Sequence, residues 1–459
     1  MVTDTTPSAA PGPVYAGSAA PDLGLREQLR RAAQMFGTPL YVVDTAAIAE
    51  AAGAVERAFP EPWIRQYSLK ANDLPAVTEL LAGRGWGANV VSGGEWASAR
   101  VAGVGSGRIT FEGVGKSDAE LLAVVDEAVA GTPLRWVAVE SADELTRLAE
   151  LHRLRVDETG RDVDLPVLLR LNPDVQPETA PGLAVGLAAS KFGLSAADLE
   201  DLAAAALWSG GLRLLGVHVH MGSHLRDVSS WALAGCRAVR VLARVREVYA
   251  GPGTPDTVDF GGGFPAYGTE PSPADFAAAL AEELDRAGLA LPAVTAIEPG
   301  RVVVGAAGWL VASVLHTRLR GDDRQVILDA GLTELIRPAL YGSRHPVTAL
   351  TEVSGSDAPE VDVSDVVVQG AVCESTDTFG VHPLPPLQRG DLVVLHEAGA
   401  YSASFSSRYN GRPPALEVLL RPDGSLTLGD RTPPPSRGRP LDLTRTVDGA
   451  RSRQGRSHP

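Results

Sequence analysis

The chain has 459 residues, 44% of them hydrophobic and 21% charged, with a formal net charge of -15 at pH 7. That length exceeds one ordinary core and predicts two domains plus tails, with enough apolar residue to bury both cores. The acidic balance argues against a nucleic-acid partner and against an anionic membrane surface.

Two cysteines, Cys236 and Cys373, make no disulfide framework and fit a reducing compartment. The opening MVTDTTPSAAPGPVYAG has neither the basic nor the apolar region of a secretory signal. The longest apolar run, Val302 to Leu315, is too short to span a bilayer and contains glycines. A cytoplasmic protein is expected. Lysine occurs only at Lys70, Lys116 and Lys191, which narrows the search for any reactive amine.

In chain order, residues 1–22 read as a flexible arm rich in Pro, Ala, Ser and Gly. Leu40–Val43 is strand-like and assigns 23–44 to a β-domain. Over 45–305, eight β-type runs alternate with helical patterns. The runs are Gln66–Leu69, Ala88–Val91, Ile109–Phe111, Trp136–Val139, Val167–Leu171, Gly216–His220, Thr257–Phe260 and Thr295–Ile297. Helices are predicted over Leu74–Ala82, Glu95–Ala102, Asp118–Ala130, Ala142–Leu151, Ala196–Leu207, Trp231–Tyr249 and Pro273–Ala287. This rhythm predicts a TIM-like (β/α)8 barrel, with an open doubly wound sheet as the competing arrangement. From 306 to 425 strands follow one another, at Val311–Leu319, Gln325–Asp329, Val361–Val372, Leu392–His396 and Leu416–Leu420. They predict a C-terminal all-β domain of Greek-key, barrel-like form, followed by a disordered tail over 426–459. The fold class is therefore α/β.

Each predicted barrel strand ends in polar residues or glycine, and in a parallel barrel those ends carry the active site. Lys70 follows the first, Asn89 and Ser92 the second, Glu112 the third and Glu140 the fourth. Arg170 and Asn172 end the fifth, His218, His220 and Ser223 the sixth, Gly261–Gly263 the seventh and Glu298 the eighth.

These residue types point to an amine-and-phosphate chemistry. An amine desolvated at a barrel mouth can form a Schiff base, although a lone lysine is commonly a surface residue. The triple glycine lets backbone approach a phosphate, or is only a tight turn. A carboxylate at Glu298 can pair with a protonated ring nitrogen, or with Arg301 in a salt bridge. The imidazole of His220 can stack on a flat ring. The alternating histidines also suit a metal, but matching Cys, Asp or Glu spacing is lacking, so no metal is expected. Cys373 is either a proton donor or a buried structural thiol.

The motifs in sequence order are YSLKAN (67–72), NVVSGGE (89–95), LLRLNPDV (168–175), SKFGL (190–194), HVHMGSH (218–224), DFGGGFP (259–265), EPGR (298–301), DAGLTELIRPALYG (329–342), CES (373–375) and GAYSASFSSRYNGRP (399–413). Together they resemble the fold-type III pyridoxal phosphate (PLP) decarboxylases, most closely their diaminopimelate decarboxylase branch, over about residues 40–420.

The resemblance implies that Lys70 carries PLP as an imine, His220 stacks on its ring and Glu298 faces its nitrogen. It implies that Ser223, Gly261, Gly262, Gly263, Gly300 and Tyr401 hold the phosphate. Arg301, Arg337, Tyr341 and Glu374 would bind the substrate's distal groups, with Arg301 and Tyr401 near both ligands. Cys373 from a partner subunit would reprotonate the product, so a homodimer with shared sites is implied. The implied reaction is meso-diaminopimelate to L-lysine and CO2. Two departures bear on the substrate: Asn89 stands where the family has an acid, and ETAPGLAVGLAAS (178–190) replaces its usual loop signals. They favour, as the alternative, a related decarboxylase of another carboxylate-bearing amino acid or conjugate in specialised metabolism. A racemase of similar fold lacks the CES and GAYSASF context. A dead regulator is expected to have lost Lys70 or Cys373.

Overall fold

The computed structural model describes residues 23–161, 163–208, 211–350 and 363–431. The expected arm over 1–22 and the expected tail from 432 onward lie outside the described residues. The chain divides into two compact units, Met1–Ala46 with Val304–Leu428, and Ala47–Val303 with Gly429–Pro459.

The second unit is a closed barrel of eight parallel strands. They are Ile64–Ser68, Gly87–Val90, Ile109–Phe111, Trp136–Val139, Leu165–Leu171, Leu212–Val219, Thr257–Asp259 and Val294–Ile297. The eighth bonds back to the first, pairing Ile64 with Ala296 and Arg65 with Ile297. Closure settles the choice against an open sheet. The strands are short and buried on both sides, as the runs of Val, Leu and Ala require when helices cover the outer face. Serine hydroxyls start the outer helices. Ser117 and Ser272 form capping boxes with Glu120 and Asp275, and Ser92, Ser141 and Ser195 each accept the amide three residues on. These caps fix where each helix leaves the rim, and hence the rim's shape.

The first unit holds a nine-stranded sheet and not a closed barrel. Strand Gly308–Arg320 explains the difference. Its first half bonds to Leu40–Asp44 and Leu392–Leu395, and after an irregularity between Val314 and His316 its second half bonds to Asp323–Leu328. The sheet therefore branches at this bend instead of closing. Alternation along it is strict: Leu310, Ala312 and Val314 enter one core while Trp309 and Val311 enter another. That second core is capped by the helix Leu23–Phe36 through Leu29, Ala32 and Ala33, so the unit is not all-β. Residues 426–428, expected to start the tail, instead form a strand against Leu416–Leu420. The strands Thr378–Leu384 and Val347–Ala349 were also not anticipated.

Candidate active site

The site assembles from residues far apart in sequence that meet at the C-terminal rim of adjoining strands. Lys70 sits in one 3-10 turn, Leu69–Ala71, directly after the first strand. The turn is braced: Tyr67 donates its hydroxyl to the Asn72 carbonyl at 2.8 Å, and the Asn72 side chain accepts the Leu74 amide at 3.1 Å. Arg431 forms an ion pair with the adjacent Asp73. The Ser68 amide donates to the Pro299 carbonyl at 3.1 Å, which ties this turn to the Glu-Pro-Gly-Arg segment. A Cβ on Gly300 would stand 3.1 Å from the Ser68 Cβ and 3.2 Å from the Ala71 Cβ. Glycine there is what lets the two segments touch.

The glycine loop is equally confined. Gly261 and Gly263 take φ values of +68° and +118°, which disfavour any side chain. A Cβ on Gly262 would lie 2.5 Å from the Glu298 carbonyl oxygen. The Gly261 amide donates to Asp259 Oδ1 at 2.9 Å and the Gly262 amide to His220 Nδ1 at 3.1 Å. Because Nδ1 accepts, the His220 ring is neutral, and burial holds its pKa well below the ordinary value. Arg301 donates through Nη2 to Ser223 Oγ at 3.0 Å. The sequence-predicted Lys70, His220, Ser223, Gly261, Gly262, Gly263, Glu298, Gly300 and Arg301 all lie on this rim.

Beneath them is a buried charged layer that sequence reasoning located but did not connect. His218 Nε2 lies 3.1 Å from Glu298 Oε1 and 3.4 Å from Glu112 Oε2. Arg170 pairs with Glu140 at 2.7 Å, with its guanidinium 4.8 Å from the Phe192 ring centre. Burial, then the Glu298 charge, pushes Glu112 up to about 8, and burial pushes His218 down to about 4. Both oxygens of Glu298 are buried with only the His218 and Glu112 groups near them and no well-aligned hydrogen bond, and both polar atoms of the Asn89 amide are buried without a hydrogen bond. A protonated ring nitrogen suits the first of these, so the residues present fit a pyridine ring at this rim.

The other lysines are accounted for. Lys116 is wholly buried against Glu144 at 2.7 Å and against the Gly113 and Ala138 carbonyls. Lys191 lies beside the Phe192 ring at 5.4 Å.

Arg337, Tyr341, Cys373, Glu374 and Tyr401 belong to the first unit. Arg337 is buried, with its guanidinium on His345 Nε2 at 3.1 Å and Ser343 Oγ at 3.3 Å. It opens the short helix Arg337–Tyr341. Cys373 is exposed, and its amide donates to Asn410 Oδ1 at 3.2 Å. Glu374 accepts the Tyr409 hydroxyl. Tyr401 takes a left-handed φ of +56°. The loop 407–412 that braces Cys373 and Glu374 was missed as a support; only the YNGRP string hinted at it.

The family described as "Pyridoxal-dependent decarboxylase, pyridoxal binding domain" matches residues 45–305. The diaminopimelate decarboxylase of Aquifex aeolicus is 35% identical over 87% of this chain and 90% of its own length. That of Deinococcus radiodurans is 36% identical over 86% and 93%. The crystal structure of the Helicobacter pylori diaminopimelate decarboxylase complexed with L-lysine superposes with a TM-score of 0.75 at 30% identity, covering 87% of this chain and 95% of that one. A lysine/ornithine decarboxylase from Vibrio vulnificus, 24% identical with a TM-score of 0.70, shares the fold. With its lysine, glycine loop and glutamate gathered at one barrel rim, this chain belongs to the pyridoxal-dependent decarboxylases.

Proposed function

We propose that the protein converts meso-diaminopimelate to L-lysine and CO2 with PLP bound through Lys70. The carrying observation is the placement of Lys70 on a braced turn joined by the Ser68–Pro299 hydrogen bond to the segment that presents Glu298. When bound, PLP supplies the electron sink for the bond broken at the substrate's α-carbon. The chain's residues do the rest. Glu298 holds a proton at the ring nitrogen, and neutral His220 offers its flat face to the ring. Two loop amides are already engaged with Asp259 and His220. The phosphate therefore falls to Gly263 onward, with Ser223, Gly300, Arg301 and Tyr401. Arg301, Arg337, Tyr341, Tyr401 and Glu374 bind the distal carboxylate and amine. Cys373, exposed on its loop, would return a proton to carbon. In this reading a homodimer supplies that thiol across subunits, and the enzyme works in the cytoplasm. No helix among the described residues is long and apolar enough to cross a membrane.

One observation favours a second reading. Asn89, standing where the family has an acid, is buried with no hydrogen bond. A related amino acid or conjugate could use that amide. Purified PLP-loaded protein should release CO2 and lysine from meso-diaminopimelate, and Lys70→Ala should not. Turnover of another amino acid with none of diaminopimelate would replace the first reading by the second.

A further inference from the structure

Three buried carboxyls crowd one histidine under the proposed ring site. Glu112 follows the third strand, Asp259 ends the seventh, and Glu298 follows the eighth; they are 3%, 0% and 2% exposed. His218, fully buried on the sixth strand, brings its Nε2 within 4.8 Å of an oxygen from each of Glu112 and Glu298. Lys70, Arg170, Glu140 and His220 are the other charged or titratable groups that act on this core.

Three carboxylates cannot all stay ionised in so dry a place. Burial, then its two carboxyl neighbours, favours the protonated form of Asp259, while its Oδ1 accepts the Gly261 amide. Glu112 is likewise protonated below about pH 8. His218 is neutral above about pH 4, so it carries one N–H. Glu298 is thus the carboxylate with potential donors on two sides. We infer that Glu112 and His218 are positioning residues, Glu112 donating O–H and His218 donating Nε2–H, which together aim the Glu298 carboxylate at the ring nitrogen of bound PLP. This rests on the reading that Glu298 faces that nitrogen.

The test compares the affinity of the apoprotein for PLP and for the deaza analogue that carries CH in place of the ring nitrogen. Wild type should prefer PLP, and Glu298→Gln should abolish the preference. Glu112→Leu should lose roughly tenfold or more of it, the worth of a hydrogen bond to a charged group. Glu112→Gln, whose amide N–H replaces the O–H, should stay within about threefold. The wild-type preference should fall as pH rises through about 8, where Glu112 ionises and repels Glu298; that of Glu112→Gln should stay flat. This pH comparison decides the matter even if the leucine variant does not fold. If Glu298→Gln loses the preference while Glu112→Leu keeps it, or the two pH profiles coincide, Glu112 is only structural. If Glu298→Gln keeps the preference, the reading of Glu298 itself falls. A divalent cation that competes with PLP in the same titration would make the trio a metal cage and overturn the inference.

Discussion

The Lys116–Glu144 pair offers a sharp test of how the rim is held. The Lys116 side chain is 0% exposed and that of Glu144 12% exposed, with Nζ and Oε1 2.7 Å apart. Glu144→Gln removes the counter-charge and leaves the ammonium with two carbonyls, of Gly113 at 2.8 Å and Ala138 at 2.6 Å. Breaking one side of a buried pair costs about 3–5 kcal/mol. Glu144 keeps slight solvent contact, which favours the lower end, about 3 kcal/mol, or a roughly hundredfold fall in the folded ratio. Adding Lys116→Met removes the orphaned charge and should restore most of the loss. Six of the seven tryptophans lie in residues 45–305, so their fluorescence in urea follows the barrel. A cost below about 1 kcal/mol for Glu144→Gln, or a double variant no better than the single, would refute the reasoning.

Gly262→Ala places its Cβ 2.5 Å from the Glu298 carbonyl oxygen. Such a variant should bind PLP at least roughly tenfold more weakly in an equilibrium titration, because backbone and not a flexible side chain must move. Cys236 is buried and Cys373 exposed. Native protein should therefore react with a thiol reagent at one site and denatured protein at two. Cys373→Ala should stop the first reaction and lower kcat by roughly a hundredfold, as loss of a proton donor does. Burial raises Glu417 from 4.5 to about 8. The folded state then holds a proton that the unfolded chain releases. That contribution to stability is present below about pH 4.5 and lost as pH rises through about 8, by at most about 1.4 kcal/mol per pH unit. Thermal melts of Glu417→Gln should lack this decline, and parallel pH profiles for the two proteins would exclude it.

The barrel was legible because its signals are local. Runs such as Val167–Leu171 and serine-capped helices such as Asp118–Val129 declare themselves within a dozen residues. The strand Thr378–Leu384 was not, because Gly380 and Pro383 break its alternation. The branched sheet was hidden because only the bend near His316 lets Gly308–Arg320 serve three partners. The residues of the rim could be named one at a time from strand ends. Nothing in the sequence said that Glu112, His218 and Glu298, drawn from three separate strand ends, would share one buried layer. The same holds for Lys116, whose lack of availability for chemistry comes wholly from three acceptors gathered around it.

One amide side chain closes the base of the loop over 178–190. Asn172 Nδ2 donates to the Leu187 carbonyl at 2.8 Å, the Ser190 hydroxyl at 3.2 Å and the Phe192 carbonyl at 3.0 Å, while its Oδ1 accepts the Asp174 amide at 3.0 Å. Both ends of the excursion are cinched at its base by a residue outside the variable stretch. The span between is tied to the rim as well: the Ser223 amide donates to the Leu183 carbonyl at 3.3 Å, the Thr179 hydroxyl donates to the Ser223 carbonyl at 2.6 Å, and a Cβ on Gly186 would stand 2.9 Å from Met221 Sδ. A substitution in this loop is therefore felt at Ser223, one of the residues proposed to hold the phosphate, and not only at the loop's own surface.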